Sequence, residues 1–293
     1  MDATSHSDDL RVTPLSGSIG AVIHDLDVRN LTDGDIDAIR QVWLAHKVIF
    51  FPGADLTTAE HVSFARRFGE ISEGHPVIPG VKDNPEVFEI DYSKERSLYA
   101  SYGDVATRTQ GLDWHTDVTF VERPPMGSLL RAVVIPPSGG DTLFSNQVAA
   151  FGALSPLFQE FLSGLDAVHD GSQQFRAALE EVGQGLWEGE PVDILAPVTH
   201  PVVRTHPETG ERGLFVNPGF TSHIAGLDRG ESDALLQFLY RHSVRPEFTV
   251  RYHWTAGDVG FWDNRVTQHS VVGDFGTQPR VIQRVVLRGD RPV

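Results

Sequence analysis

The segment Trp114-His115-Thr116-Asp117-Val118-Thr119-Phe120 constrains the fold of this chain more than any other. On an extended strand, residues i and i+2 project from the same face, so the imidazole of His115 and the carboxylate of Asp117 can close on one metal ion. A third donor stands far downstream, His269 in Trp262-Asp263-Asn264-Arg265-Val266-Thr267-Gln268-His269. A fold that uses all three must carry two distant segments to one point. Two histidines and one carboxylate form the facial ligand set of non-haem Fe(II) oxygenases, which leaves coordination positions open.

A histidine two residues before an aspartate is a weak signal alone. A chain with 13 histidines and this many acidic residues holds about one such triplet by chance. This chain has two. His6-Ser7-Asp8 lies in a polar, acidic N-terminal tail spanning residues 1–10 and reads as the chance occurrence. His115-Thr116-Asp117 sits among Trp114, Val118 and Phe120, residues that favour strands.

Charge and cysteine usage narrow the function classes. The formal net charge of −16 disfavours a nucleic-acid backbone or an anionic membrane surface as partner. No apolar run approaches the roughly 20 residues of a membrane span. The polar start resembles neither a secretory signal nor a transit peptide, so a soluble, cytoplasmic protein is expected. The absence of cysteine excludes disulfides, Fe–S clusters, thiolate zinc sites and a cysteine nucleophile, leaving nitrogen and oxygen to hold any metal. The chain lacks G-x-S-x-G, G-x-G-x-x-G and phosphate-loop patterns.

Periodicity predicts an amphipathic helix over Thr32 to Lys47, with Ile36, Ile39, Val42 and Trp43 on one side. A buried strand, Val48-Ile49-Phe50-Phe51, follows. The capping box Thr57-Thr58-Ala59-Glu60 then opens a helix running to about Phe68. Beyond it lie short strands broken by Gly and Pro: Val87–Ile90, Val118–Val121, Ser128–Ile135, Thr142–Ser145, Val198–Arg204, Gly213–Val216, Thr249–Trp254, Asp258–Trp262 and Val281–Arg288. Such spacing indicates a sandwich or barrel. A late helix is expected over Ser232 to His242. Two long irregular stretches, Ser93 to Gly111 and Gly171 to Pro197, read as lids over a pocket. No repeat or linker divides residues 11–293, which are expected to form one domain.

The last strand is unusual. In Gln278-Pro279-Arg280-Val281-Ile282-Gln283-Arg284-Val285-Val286-Leu287, alternation puts Arg280, Ile282, Arg284 and Val286 on one face. A buried guanidinium is costly unless paired, so these arginines either meet internal carboxylates or wait for anionic ligands, which guanidinium grips bidentately. Because His269 lies shortly before this strand, metal and arginines should be close.

These motifs, with Gly139-Gly140-Asp141-Thr142-Leu143 and His200-Pro201-Val202-Val203-Arg204-Thr205-His206-Pro207, resemble the taurine/2-oxoglutarate dioxygenase family, over about residues 11 to 290. The resemblance implies a mostly β protein with flanking helices around a double-stranded β-helix (jelly-roll) core. It implies Fe(II) held by His115, Asp117 and His269, with 2-oxoglutarate and O2 as co-substrates. The distal carboxylate of 2-oxoglutarate would meet Arg280 and Thr142. A small anionic substrate, taurine or a related alkylsulfonate, would meet Arg284, His75, Phe175 and Phe220. Hydroxylation next to sulfur would release sulfite and an aldehyde, with succinate and CO2. The family also leans towards homo-oligomers.

One position departs from the pattern. Where the taurine enzymes carry an asparagine four residues before the metal histidine, this chain has Gly111. Glycine offers no side-chain donor, and an unmet polar contact costs on the order of 1–3 kcal/mol. Space vacated there suits a larger sulfonate or an alkyl sulfate ester. Two further readings are a zinc hydrolase on the same three ligands and a non-catalytic anion binder. The first has no use for a 2-oxoglutarate site, and the second no use for open metal positions.

Overall fold

A computed structural model describes residues 10–72, 75–76, 80–92, 114–172, 175, 185–187, 190–193 and 196–293. Gly111, the triplet at His6, all but Leu10 of the N-terminal tail and most of both expected lids lie outside the described residues.

Two sheets packed face to face form the centre, the jelly roll expected from the resemblance. The larger has eight strands in the order Arg11–Pro14, Ala21–His24, Val48–Phe51, Val259–Asp263, Gly127–Val134, Val281–Leu287, Asn84–Asp91 and Gly80–Val81. All neighbours are antiparallel except Ala21–His24 with Val48–Phe51. The smaller sheet runs Thr249–Tyr252, Thr142–Asn146, Thr267–Val271.

Alternation assigns the two faces of the large sheet. Phe50, Leu130, Trp262, Ile282 and Val286 point at the small sheet and pack with Phe144, Val250 and Tyr252. The Phe50 and Tyr252 rings stack with centroids 3.6 Å apart. Their neighbours Ile49, Phe51, Leu129, Phe261, Val285 and Leu287 point the other way, onto Ile39, Trp43, Val62 and Phe64 of two covering helices. Central strands buried on both faces explain the unbroken apolar run Val48-Ile49-Phe50-Phe51.

The first covering helix, Asp33–His46, starts at a Thr32/Asp35 capping box and stops where Lys47 turns left-handed at φ 66°. The second, Thr58–Arg66, carries the expected Thr57/Glu60 box. Several features were not anticipated, among them the strands Arg11–Pro14, Ala21–His24, Asp166–His169, Thr221–Ile224 and Thr267–Val271. Helices Gln147–Gly152 and Pro156–Ser163, of six and eight residues, were unmarked by any long periodic run. The late helix begins at Arg229, because Asp228 and Glu231 form its capping box. The single strand expected over Val198–Arg204 is two, Val198–Pro201 beside Asp166–His169 and Val203–Thr205 beside Arg212–Leu214. Pro201 cannot donate to a ladder, and fully buried Val202 bonds instead to Leu165 and Phe215.

Candidate metal centre and its surroundings

His269 stands on Thr267–Val271, opposite Phe144 of the small sheet. On its free side a short bridge brings in His115. The His115 amide donates to the His269 carbonyl at 3.0 Å, and the His269 amide donates back at 2.8 Å. The two rings consequently lie 4.2 Å apart. Register alone joins the two distant segments.

Asp117 reaches the centre differently from the strand expected over Val118–Val121. Residues 117–120 form a turn, and Val118 has a left-handed φ of 54°. A β-branched residue there is strained, so its surroundings must impose the conformation. They do. Asn264 accepts from the Asp117 amide at 2.9 Å, and its Nδ2 donates to the carbonyls of Asp117 at 3.0 Å and Pro125 at 2.9 Å. Thr116 adds a hydroxyl bond to the Thr267 carbonyl at 2.8 Å.

The result is one cluster. Asp117 Oδ1 lies 3.6 Å from His115 Nε2 and 3.7 Å from His269 Nε2. One donor atom from each of the three residues falls within 4.8 Å of the others, a set that fits one metal ion. The other carboxylate oxygen accepts from Ser128 Oγ at 2.9 Å. Burial pushes the Asp117 carboxyl upward, but Arg284, then His269 and His115, outweigh it and hold it well below the usual carboxylate range. Burial, then His115, keeps His269 neutral well below its ordinary pKa. An ionised carboxylate and an unprotonated imidazole are the forms a metal requires.

The two arginines share the inward face, as alternation predicted, but their surroundings differ. Arg284 Nη1 donates to Asp117 Oδ1 at 2.7 Å, its Nη2 lies 3.2 Å from His269 Nε2, and the guanidinium covers Trp262 at 4.9 Å. Arg280 is fully buried. Its Nε donates to the Gly140 carbonyl at 3.1 Å, while Nη1 and Nη2 have no partner among the described residues. Tyr92 lies under it at 5.1 Å. Gly140, at φ 74°, is what allows this approach, since a Cβ there would sit 3.1 Å from the Arg280 side chain. Burial lowers the Arg280 pKa. A buried guanidinium with two idle donors fits an incoming carboxylate. Thr142, also buried, has its Oγ1 held by Trp254 Nε1 at 2.9 Å.

His75, Phe175 and Phe220 gather on the metal side. The His75 ring packs on Phe88 at 5.6 Å and Phe175 at 5.3 Å, and Phe220 faces His115 edge-on at 6.1 Å. Burial pushes His75 down to about 3, against the pull of Asp117. Phe120 completes the wall, 4.8 Å from Phe220 and 5.5 Å from Phe175. Sequence reasoning missed Phe120 and Ser128 as parts of the site and assigned no role to Asn264. A serine inside the apolar strand Gly127–Val134 was the available signal for one of them.

A double-stranded β-helix carrying two histidines and an aspartate at its mouth, beside an idle buried arginine, defines a 2-oxoglutarate-dependent dioxygenase. Comparison with known proteins agrees. The family model described as taurine catabolism dioxygenase TauD, TfdA family matches residues 11–286, and the chain belongs to that family. The alpha-ketoglutarate-dependent sulfate ester dioxygenase of Pseudomonas putida is 38% identical over 98% of this chain and 92% of its own length. The alkylsulfatase of Acinetobacter baylyi is 35% identical over 96% and 86%. The crystal structure of a taurine dioxygenase from Burkholderia xenovorans superposes with a TM-score of 0.82 at 38% identity, covering 97% of this chain and 91% of that one. Among the described residues no helix is long and apolar enough to cross a membrane.

Proposed function

We propose that His115, Asp117 and His269 hold Fe(II), that Arg280 and Thr142 hold the distal carboxylate of 2-oxoglutarate, and that the substrate is an aliphatic anion bearing a sulfonate or sulfate ester. Arg284 and His75 meet its sulfur oxyanion, while Phe175 and Phe220 wall its chain. The observation that carries this reading is the pair of buried arginines on one strand face, one beside Asp117 and one with idle donors. A zinc hydrolase has no use for the second.

When bound, the iron and 2-oxoglutarate supply O2 activation and the oxidant that attacks a C–H bond. The residues of the chain select which bond. With His75 neutral, Arg284 is the charge facing the oxyanion, and His75 contributes hydrogen bonding only. Holding the oxyanion beside Asp117 presents the carbon that bears it, and the phenylalanine wall excludes water from that point. Hydroxylation consumes O2 and 2-oxoglutarate and yields succinate and CO2. The hydroxylated carbon then expels its sulfur group and becomes an aldehyde. A sulfonate leaves as sulfite, and a sulfate ester leaves as sulfate.

Sulfate esters have a specific claim as the second reading. The two curated relatives above act on sulfate esters by name, and Gly111 lacks the side chain that taurine enzymes place there. The test reconstitutes the protein anaerobically with Fe(II) and 2-oxoglutarate, adds O2, and supplies taurine, hexanesulfonate or hexyl sulfate separately. Succinate matched by sulfite or sulfate names the substrate class. Succinate that never rises with any of the three, beyond the substrate-free rate, contradicts the proposal.

A further inference from the structure

Beside the metal turn lies a buried polar network that the reaction as described does not use. Thr119 is fully buried between Val118 and Phe120. Its Oγ1 accepts from Asn217 Nδ2 at 3.1 Å and lies 2.9 Å from His169 Nδ1. Its carbonyl accepts from His200 Nε2 at 2.9 Å, and that same nitrogen reaches the Val121 carbonyl at 3.0 Å. Asn217 is itself committed on the other side. Its Oδ1 accepts from the Phe220 amide at 2.9 Å, and its backbone N–H donates to Thr221 Oγ1 at 2.9 Å. The Phe220 carbonyl accepts from Asp170, the residue after His169.

Each hydrogen bond has one consistent direction. With Asn217 donating to Thr119, the threonine proton is available to His169 Nδ1, which a neutral imidazole can accept. Burial, then His200, keeps His169 neutral. One hydroxyl thus joins the segment carrying Phe120 to the segment carrying Phe220. Those two rings are 4.8 Å apart, and Phe220 stands edge-on to the metal ligand His115. Among the described residues, the bond from Asn217 to Thr119 is the direct side-chain link between the two segments.

We propose that Thr119 is a positioning residue for substrate: through Asn217 and His169 it fixes the Phe120–Phe220 wall, and so the placement of the substrate carbon, without contributing to metal or 2-oxoglutarate binding. The inference rests on Phe220 lining the substrate site as proposed above. Loss of the hydroxyl takes the partner from buried Asn217 Nδ2 and His169 Nδ1 and loosens the wall. Substrate then binds less tightly, and turnover of 2-oxoglutarate escapes coupling to substrate oxidation.

The test compares Thr119→Val, Thr119→Ser and Phe220→Ala with the unaltered Fe(II)-loaded enzyme, using taurine, hexyl sulfate and hexanesulfonate as probes. For whichever probe the unaltered enzyme oxidises, Thr119→Val is expected to raise KM about tenfold and lower the aldehyde-to-succinate ratio, as an unmet buried hydrogen bond would. Anaerobic 2-oxoglutarate and Fe(II) affinities stay within about twofold, and Thr119→Ser, which restores a hydroxyl, returns both readouts towards the starting values. In a Phe220→Ala background, Thr119→Val adds little further. Unchanged KM and coupling in Thr119→Val, or an equal loss of metal affinity, overturns the inference alone. Should Thr119→Val not fold, Thr119→Ala must give the same shifts or the inference fails. An unaltered enzyme that oxidises none of the three overturns the substrate reading and this inference together.

Discussion

Arg280 and Arg284 are four residues apart, point the same way and are both buried, yet they sit in opposite electrostatic situations. Arg284 is matched from within, by Asp117 at 2.7 Å. Arg280 is matched by nothing ionic among the described residues and keeps two donors idle. A folded protein retains an unpaired buried cation only when something other than stability selects it. The comparison separates a charge already paired at the candidate metal centre from one whose donors have no partner among the described residues.

The largest expected effect tests the metal side of that comparison. Asp117→Ala removes the carboxylate proposed to hold the metal and leaves Arg284 without its ion-pair partner. Metal titration should show no stoichiometric Fe(II) site, and turnover should vanish. Retained stoichiometric iron would move the centre elsewhere. Next in size is Asn264→Ala, which frees the strained turn at Val118 by removing bonds to the Asp117 backbone while leaving all three candidate donor side chains in place. Metal affinity should drop about 10–100-fold, the range for residues that orient ligands, and equilibrium Fe(II) titration measures it.

Stability gives a third and smaller contrast, read as melting temperature without metal or 2-oxoglutarate. Arg284→Met breaks a buried pair and should lower it by roughly 5–10 °C. Arg280→Met removes an unpaired charge and should leave it unchanged or higher. Equal losses would erase the distinction between the two arginines. The smallest effect concerns pH. Burial, reinforced by Arg131, pushes His61 down to about 3. Its neutral folded form is favoured while the unfolded histidine titrates near its ordinary value of about 6.5. Stability from this group is therefore full above about pH 6.5 and declines as pH falls towards 3. His61→Leu should flatten the fall in unfolding free energy by up to about 1.4 kcal/mol per pH unit, seen in denaturant melts at pH 7 and 5.

Much of this site was legible in the chain itself. The i, i+2 spacing of His115 and Asp117, the distant His269 and the alternation of Arg280 with Arg284 all survive in the structure. So does the capping box at Thr57. What escaped is tertiary in origin. The turn at Asp117 is imposed by Asn264, whose side chain crosses from a segment far along the chain, so Val118 reads as strand while sitting at φ 54°. Phe120 looked like a strand residue and proves to be part of the aromatic wall. Two short helices lacked enough periods to show. Pro201 marked a break that the apolar run around it concealed.

The most direct test of the account is an anaerobic titration of 2-oxoglutarate into the Fe(II)-loaded protein, its Arg280→Ala variant and its Arg284→Ala variant. Truncating one partner of a buried charge pair should weaken 2-oxoglutarate binding by about two orders of magnitude in Arg280→Ala. Arg284→Ala should remain within a few-fold of the unaltered protein. Equal losses in both variants, or a greater loss in Arg284→Ala, would contradict the assignment of Arg280 to the co-substrate and Arg284 to the organosulfur anion.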